Sequence, residues 1–193
     1  MLDAGRVAHV GFEAGGVPYV VPLAYGRDAD RVLVHGSTGS RAFRRLADGA
    51  PACLTVTLLD GLVLARSAFE TSMRYRSAMV LGTFAPITDP AAKEAALACI
   101  SEHSAPGRWA DVRPPSSKEL AATAVLTLPL DEWSVKISDS WPEDEPGDLG
   151  RPVWAGVVGF STRVDPPQPA PDLRPGHEPP DYLSTLPAPG TCP

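Results

Sequence analysis

Cysteine is scarce in this chain of 193 residues: Cys53, Cys99 and Cys192 are odd in number and far apart. Neither a disulfide framework nor a CxxC metal site follows, and the three read as reduced thiols. The four histidines, His9, His35, His103 and His177, show no HxH or HxxxH spacing, so no metal site is expected. Basic residues are outnumbered, 17 Lys and Arg against 23 Asp and Glu for a net charge of −6, which argues against a nucleic-acid partner. No apolar run approaches the ~20 residues that span a bilayer, so no membrane partner is expected. The opening residues Met1 to Arg6 lack the basic and apolar segments of a secretory signal, and with the thiols they point to a cytoplasmic location. The signatures GxxxxGK[ST], GxGxxG and GxSxG are absent, which removes P-loop, Rossmann and nucleophile-elbow readings.

Proline, by contrast, is plentiful and uneven. Ten of 22 prolines lie in residues 165–193, where apolar periodicity stops. The chain therefore divides into a domain at 1–160 and a Pro-rich extended or disordered tail at 161–193, and truncation before Asp165 is expected to leave folding intact. The stretch 139–148, with five acids, Pro142, Pro146 and Gly147, reads as a solvated loop. Short β-rich runs at 7–12, 17–24, 31–35, 52–58, 62–67 and 74–84 are separated by turn chemistry, including hairpin turns at Gly15-Gly16 and Asp60-Gly61. Helices are expected after Ser40, after Asp89-Pro90 as far as His103, and after Ser116, which has capping-box spacing to Glu119. A closing strand is expected at 124–137. The fold class is mainly β, a β-barrel with peripheral helices.

Two segments could carry chemistry. In 34–45 a strand end runs into His35, Gly36, Ser37, a small-residue loop, and then Ser40 and Arg41 at a helix start. Glycine backbone, hydroxyls and arginine suit a phosphate group; a plain helix cap with a solvated basic turn is the alternative. The second segment places Arg66 near Arg74 and Arg76 on the next strand, with Tyr75 and Ser77 on the opposite face. These arginines could line an anionic site or pair with acids of a second subunit. Cys53 reads as a small buried residue. Trp154 stands out because an apolar run resumes there after the acidic loop.

Taken in order, His9-Val10-Gly11-Phe12, Pro18-Tyr19-Val20-Val21-Pro22, His35-Gly36-Ser37 with Ser40-Arg41, 60–69, 72–77, Pro106-Gly107-Arg108-Trp109 and Val153-Trp154-Ala155-Gly156 make the sequence resemble the pyridoxamine 5'-phosphate oxidase-like superfamily. The likeness is to its flavin-nucleotide-binding branch, near the Nim-type nitroimidazole-resistance proteins. The resemblance implies an FMN-binding split barrel, a homodimer with cofactor sites at the interface, and a small-molecule substrate. It implies that Ser37, Ser40 and Arg41, with Gly36, hold the phosphate. Val21, Pro22 and Leu23 would follow the isoalloxazine through backbone, and Thr55 and Ser77 would lie near the ring or ribityl chain. Arg66 and Arg76 would neutralise phosphate or ring oxygens, with Trp154 also at the cofactor. His35 and Tyr75 are the catalytic candidates. The expected activity is that of an oxidoreductase passing reducing equivalents from a reduced nicotinamide-type donor to a small organic acceptor. Alternatives on the same barrel are a haem protein with His9 or His35 as axial ligand, a non-catalytic flavin binder, and FAD or deazaflavin in place of FMN.

Overall fold

The structure is a computed structural model that describes residues 1–191. Alternation of apolar and polar residues builds the first strands: β1 (Val7–Ala14) buries Ala8, Val10, Phe12 and Ala14 and turns its other side chains outward. Gly15 and Gly16, both at positive φ, close the hairpin to β2 (Val17–Asp28), as that turn chemistry predicts. β3 (Arg31–Ser37) follows, then the short helix α1 (Arg41–Ala47), capped by the Ser40 side chain on the Phe43 N–H.

The next element departs from expectation. Instead of two strands joined by a turn at Asp60-Gly61, β4 (Pro51–Leu64) runs straight through that pair, with a register shift between Leu59 and Gly61 against β5 (Ser72–Thr83). The pair is a bulge in a long strand. Gly61 is required there for a different reason: a Cβ would stand 2.5 Å from the Val158 carbonyl oxygen of β9 (Gly156–Gly159), which pairs with this extension.

After the two-residue strand β6 (Ala85–Pro86), α2 (Pro90–Ser104) starts as predicted, the Asp89 carboxylate accepting from the Ala92 N–H at 2.8 Å with Pro90 in the first turn. α3 (Arg108–Asp111) and α4 (Ser117–Ala122) follow, the latter with the reciprocal Ser116–Glu119 capping box. The single closing strand expected at 124–137 is in fact two, β7 (Thr123–Pro129) and β8 (Glu132–Ser138), which sit at opposite ends of the sheet.

The sheet order is β6-β7-β3-β2-β1-β4-β5-β8, antiparallel, with β9 branching from β4. It curls into a half-barrel around one core that includes Val10, Tyr25, Val34, Leu54, Val80 and Leu128. α1 plugs this core with Phe43 and Leu46. α2 lies outside on β2, β3 and β7, where Ala96 and Ile100 meet Leu33 and Val125. The approach is close because Gly26 has no side chain: a Cβ there would lie 2.9 Å from the Ile100 Cα. Among the described residues no helix is long and apolar enough to cross a membrane.

Beyond the barrel, residues 161–179 are exposed, and the chain then returns to it as a short 3-10 turn (Asp181–Thr185) and the segment ending at Thr191. Cys53 and Cys99 are free thiols; Cys192 lies outside the described residues.

Candidate functional site

Strand register places a polar row on the outer face of the half-barrel. His9 pairs with Pro22 on one side and Thr55 on the other, and Thr55 pairs in turn with Met79. One turn of the pleat away, Val7 pairs with Ala24, and Thr57 pairs with Ser77. Because side chains alternate, Pro22 shares this face, whereas Val21 and Leu23 point back and pack on the core. Only the backbone of those two can meet an outer-face ligand. Cys53 belongs to the same face, its sulfur 3.6 Å from the Thr55 hydroxyl.

The face continues past Ala24 to His35, and both line an open cavity of about 580 Å³ whose other walls come from α2, Trp109 of α3 and Arg113. Although the side chain reaches solvent, its partial desolvation lowers the pKa of His35 below that of a free histidine. No described residue hydrogen-bonds to that ring, which lines the cavity together with Leu97, Ile100, Ser101 and Ser104. At the mouth Arg113 and Glu119 form a bidentate pair at 2.6 and 2.7 Å, and this pairing holds the Glu119 carboxyl well below the ordinary carboxylate range.

The loop leaving β3 is tight. The Gly39 N–H donates to the Ser37 hydroxyl at 3.1 Å, and Thr38 donates through both N–H and hydroxyl to the Ala122 carbonyl. Ser40 is engaged as the α1 cap, and the Arg41 guanidinium lies 5.3 Å from the Tyr19 ring centroid. Gly36 has a packing reason to be glycine: a Cβ would fall 2.3 Å from the Phe43 ring.

The arginines are bound within the chain. Arg66 donates from its backbone N–H and guanidinium to Asp144 at 2.6 and 2.8 Å, with the Asp144 side chain 1% exposed. The acidic loop is thereby pinned to the end of β4 by this buried carboxylate. Arg76 grips Asp60 through two hydrogen bonds of 2.8 Å and also donates to the Gly190 carbonyl. That contact holds the Asp60 carboxyl below its usual range. Arg74 donates to the Ser140 carbonyl and lies over Trp141.

The structure thus gathers His35, Pro22, Thr55 and Ser77 on one face, beside the loop of Gly36, Ser37, Ser40 and Arg41. Tyr75 is on β5, four strands from His35, with Lys136 over its ring. Trp154 is exposed beside β9, its ring against Gly156. Sequence reasoning did not single out Trp109 or Arg113 as cavity walls, or Asp60 and Asp144 as the arginines' partners. The quoted Pro106-Gly107-Arg108-Trp109 string was the one available signal for the former; ion pairs across a bulge carry none.

A mainly antiparallel half-barrel with helices outside and a small-residue loop leaving β3 defines the split-barrel class of nucleotide-cofactor folds. The profile of the pyridoxamine 5'-phosphate oxidase family matches residues 1–137, and the chain belongs to that family. Among solved structures it is similar to the FAD and haem binding protein from Mycobacterium smegmatis, at 43% identity and a TM-score of 0.92, over 97% of this chain and 92% of that one. The flavocytochrome Anf3 from Azotobacter vinelandii is similar at 41% identity and a TM-score of 0.91, over 97% and 87%. A 5-nitroimidazole antibiotic resistance protein from Bacteroides thetaiotaomicron is similar at 27% identity and a TM-score of 0.58, over 69% and 78%. Among curated proteins there is no match.

Proposed function

We propose that this protein is a flavin- and haem-binding oxidoreductase, with the flavin on the outer face of β1, β2, β4 and β5 and the haem against His35. The observation that carries the reading is His35: an imidazole with no hydrogen-bond partner among the described residues, lining a cavity of mixed apolar and polar walls at the edge of a polar sheet face. Such a ring would suit a haem ligand, since ligation needs the deprotonated nitrogen and the lowered pKa favours it. Two similar proteins whose names combine flavin or FAD with haem, at 41% identity and above, support the pairing of both groups.

When bound, these groups would supply hydride and single-electron chemistry between a reduced nicotinamide-type donor and a small organic acceptor. The chain's own residues bind and orient. His35 would hold the haem, Trp109 and Ile100 form walls of the same cavity, and the Ser37 to Arg41 loop offers hydroxyls and a guanidinium to a phosphate. The names of the similar proteins favour FAD, whereas the resemblance read from the sequence implied FMN; Arg41 suits a phosphate in either.

The reading includes a homodimer. Trp133, Val135 and Ile137 of the edge strand β8 are exposed on the side that continues the buried Ala78 and Val80, leaving an apolar strip for a second copy to cover. A cytoplasmic location, with its reducing poise, fits the free thiols. The test is the absorption spectrum of the purified protein, with chromophores released and identified. A Soret band together with FAD or FMN supports the assignment; a colourless protein that takes up neither flavin nor haem refutes it.

A further inference from the structure

The end of the chain is not idle in the structure. Residues 161–179 are exposed throughout, whereas Tyr182, Leu183, Leu186 and Gly190 are half-buried. Two anchors hold this distal piece. Tyr182 packs where a side chain at Gly107 would be, its ring atoms 3.1 and 3.2 Å from that Cβ position, and its hydroxyl meets the Arg108 guanidinium at 3.3 Å. Gly107 can leave that space empty because it sits at a φ of +91°, which already favours glycine. At the second anchor the Gly190 N–H donates to the Ala4 carbonyl at 2.9 Å, and the Gly190 carbonyl accepts from Arg76 at 2.9 Å.

The two anchors bracket the candidate face. Gly107 and Arg108 lead directly into Trp109, a wall of the His35 cavity. Pro189, Gly190 and Thr191 form one wall of a cavity of about 620 Å³ whose other walls include His9, Thr57 and Arg76. We infer that the segment at 180–191 is a releasable strap, bound to its own barrel on an exposed tether, that closes the cavity between His9 and Arg76 and gates exchange of the flavin; the gating rests on the flavin reading of that face. Among the described residues these anchors comprise one backbone hydrogen bond, the hydrogen bonds from the Arg76 and Arg108 side chains and one aromatic ring, and the tether makes redocking intramolecular at an effective concentration on the order of 1 mM. A strap so held opens and recloses without unfolding the barrel.

The experiment compares the full chain, a chain ending at residue 179, and Tyr182→Ala, each loaded with FAD or FMN and followed by flavin fluorescence after dilution. Release is expected to be at least tenfold faster from the shortened chain, intermediate for Tyr182→Ala, and slowed again when a synthetic peptide of residues 180–191 is added at millimolar concentration. Equal release rates in all three overturn the gating. Docking is judged separately, without cofactor, by the anisotropy of the labelled peptide on the shortened chain: saturation below about 1 mM supports it, because a weaker site would leave the tethered strap mostly open. No binding at several millimolar overturns it. A full chain that binds neither flavin refutes the flavin reading and the gating with it, while the peptide measurement still decides the docking.

Discussion

Gly36→Ala isolates a packing requirement inside the segment that the sequence presents as a ligand loop. The added methyl would lie 2.3, 2.6 and 2.7 Å from three carbons of the Phe43 ring, where ordinary carbon contacts are about 3.5–4.0 Å. The ring must therefore withdraw by roughly 1 Å. It has little room, being 4% exposed and part of the core that includes Leu46 at 0%. Overpacking of this kind costs about 1–3 kcal/mol. For a chain of this length that lowers the melting temperature by roughly 2–12 °C. Urea unfolding measures the loss directly, and Phe43→Leu provides the control: the smaller side chain makes space, so the double variant should lose less than the two single losses added together. A Gly36→Ala protein within 0.5 kcal/mol of the parent, or strict additivity with Phe43→Leu, would refute the packing argument and return Gly36 to a purely ligand-facing role.

The other predictions concern the site and its supports. Arg41→Ala should weaken flavin binding by about 1.5–3 kcal/mol if its guanidinium makes a charge-assisted phosphate bond; titration by flavin fluorescence quenching checks this, and unchanged affinity removes Arg41 from the phosphate loop. His35→Ala should abolish the Soret band while bound flavin persists, whereas His9→Ala should leave the Soret band in place; the opposite pattern moves the haem to His9. Asp144→Ala should destabilise the end of β4 by about 3–5 kcal/mol locally, since it strands the Arg66 guanidinium, whose buried Nε already lacks a partner; faster proteolysis within 139–148 is the readout. Burial lowers the pKa of both His35 and His103 below that of a free histidine, so the unfolded chain binds more protons in mild acid. Their contribution to stability is complete above about pH 6.5 and is lost as pH falls through the lowered values. Urea midpoints between pH 7.5 and 5 should fall, and a flat profile contradicts the assignment.

The features legible in the chain alone are local. Alternation in 7–12 marked β1, paired glycines marked the first hairpin, and Asp89-Pro90 and Ser116 with Glu119 marked two helix starts, because each signal resides in a few neighbouring residues and survives in any surroundings. The ordered strings from His9 to Gly156 were enough to indicate the family. Which distant residues meet depends on the folded arrangement. Asp60-Gly61 has turn chemistry, yet pairing with β5 on one side and β9 on the other carries the strand through it. The run at 124–137 reads as one strand, but its halves pair with β3 and with β5 at opposite ends of the sheet. Arg66 and Arg76 look like free cations in the sequence, and their carboxylate partners lie across a loop and a bulge that no periodicity reports. The row joining Pro22, His9 and Thr55 exists through strand register alone, and register is a property of non-local pairing: a slip of one residue would turn every one of these side chains into the core.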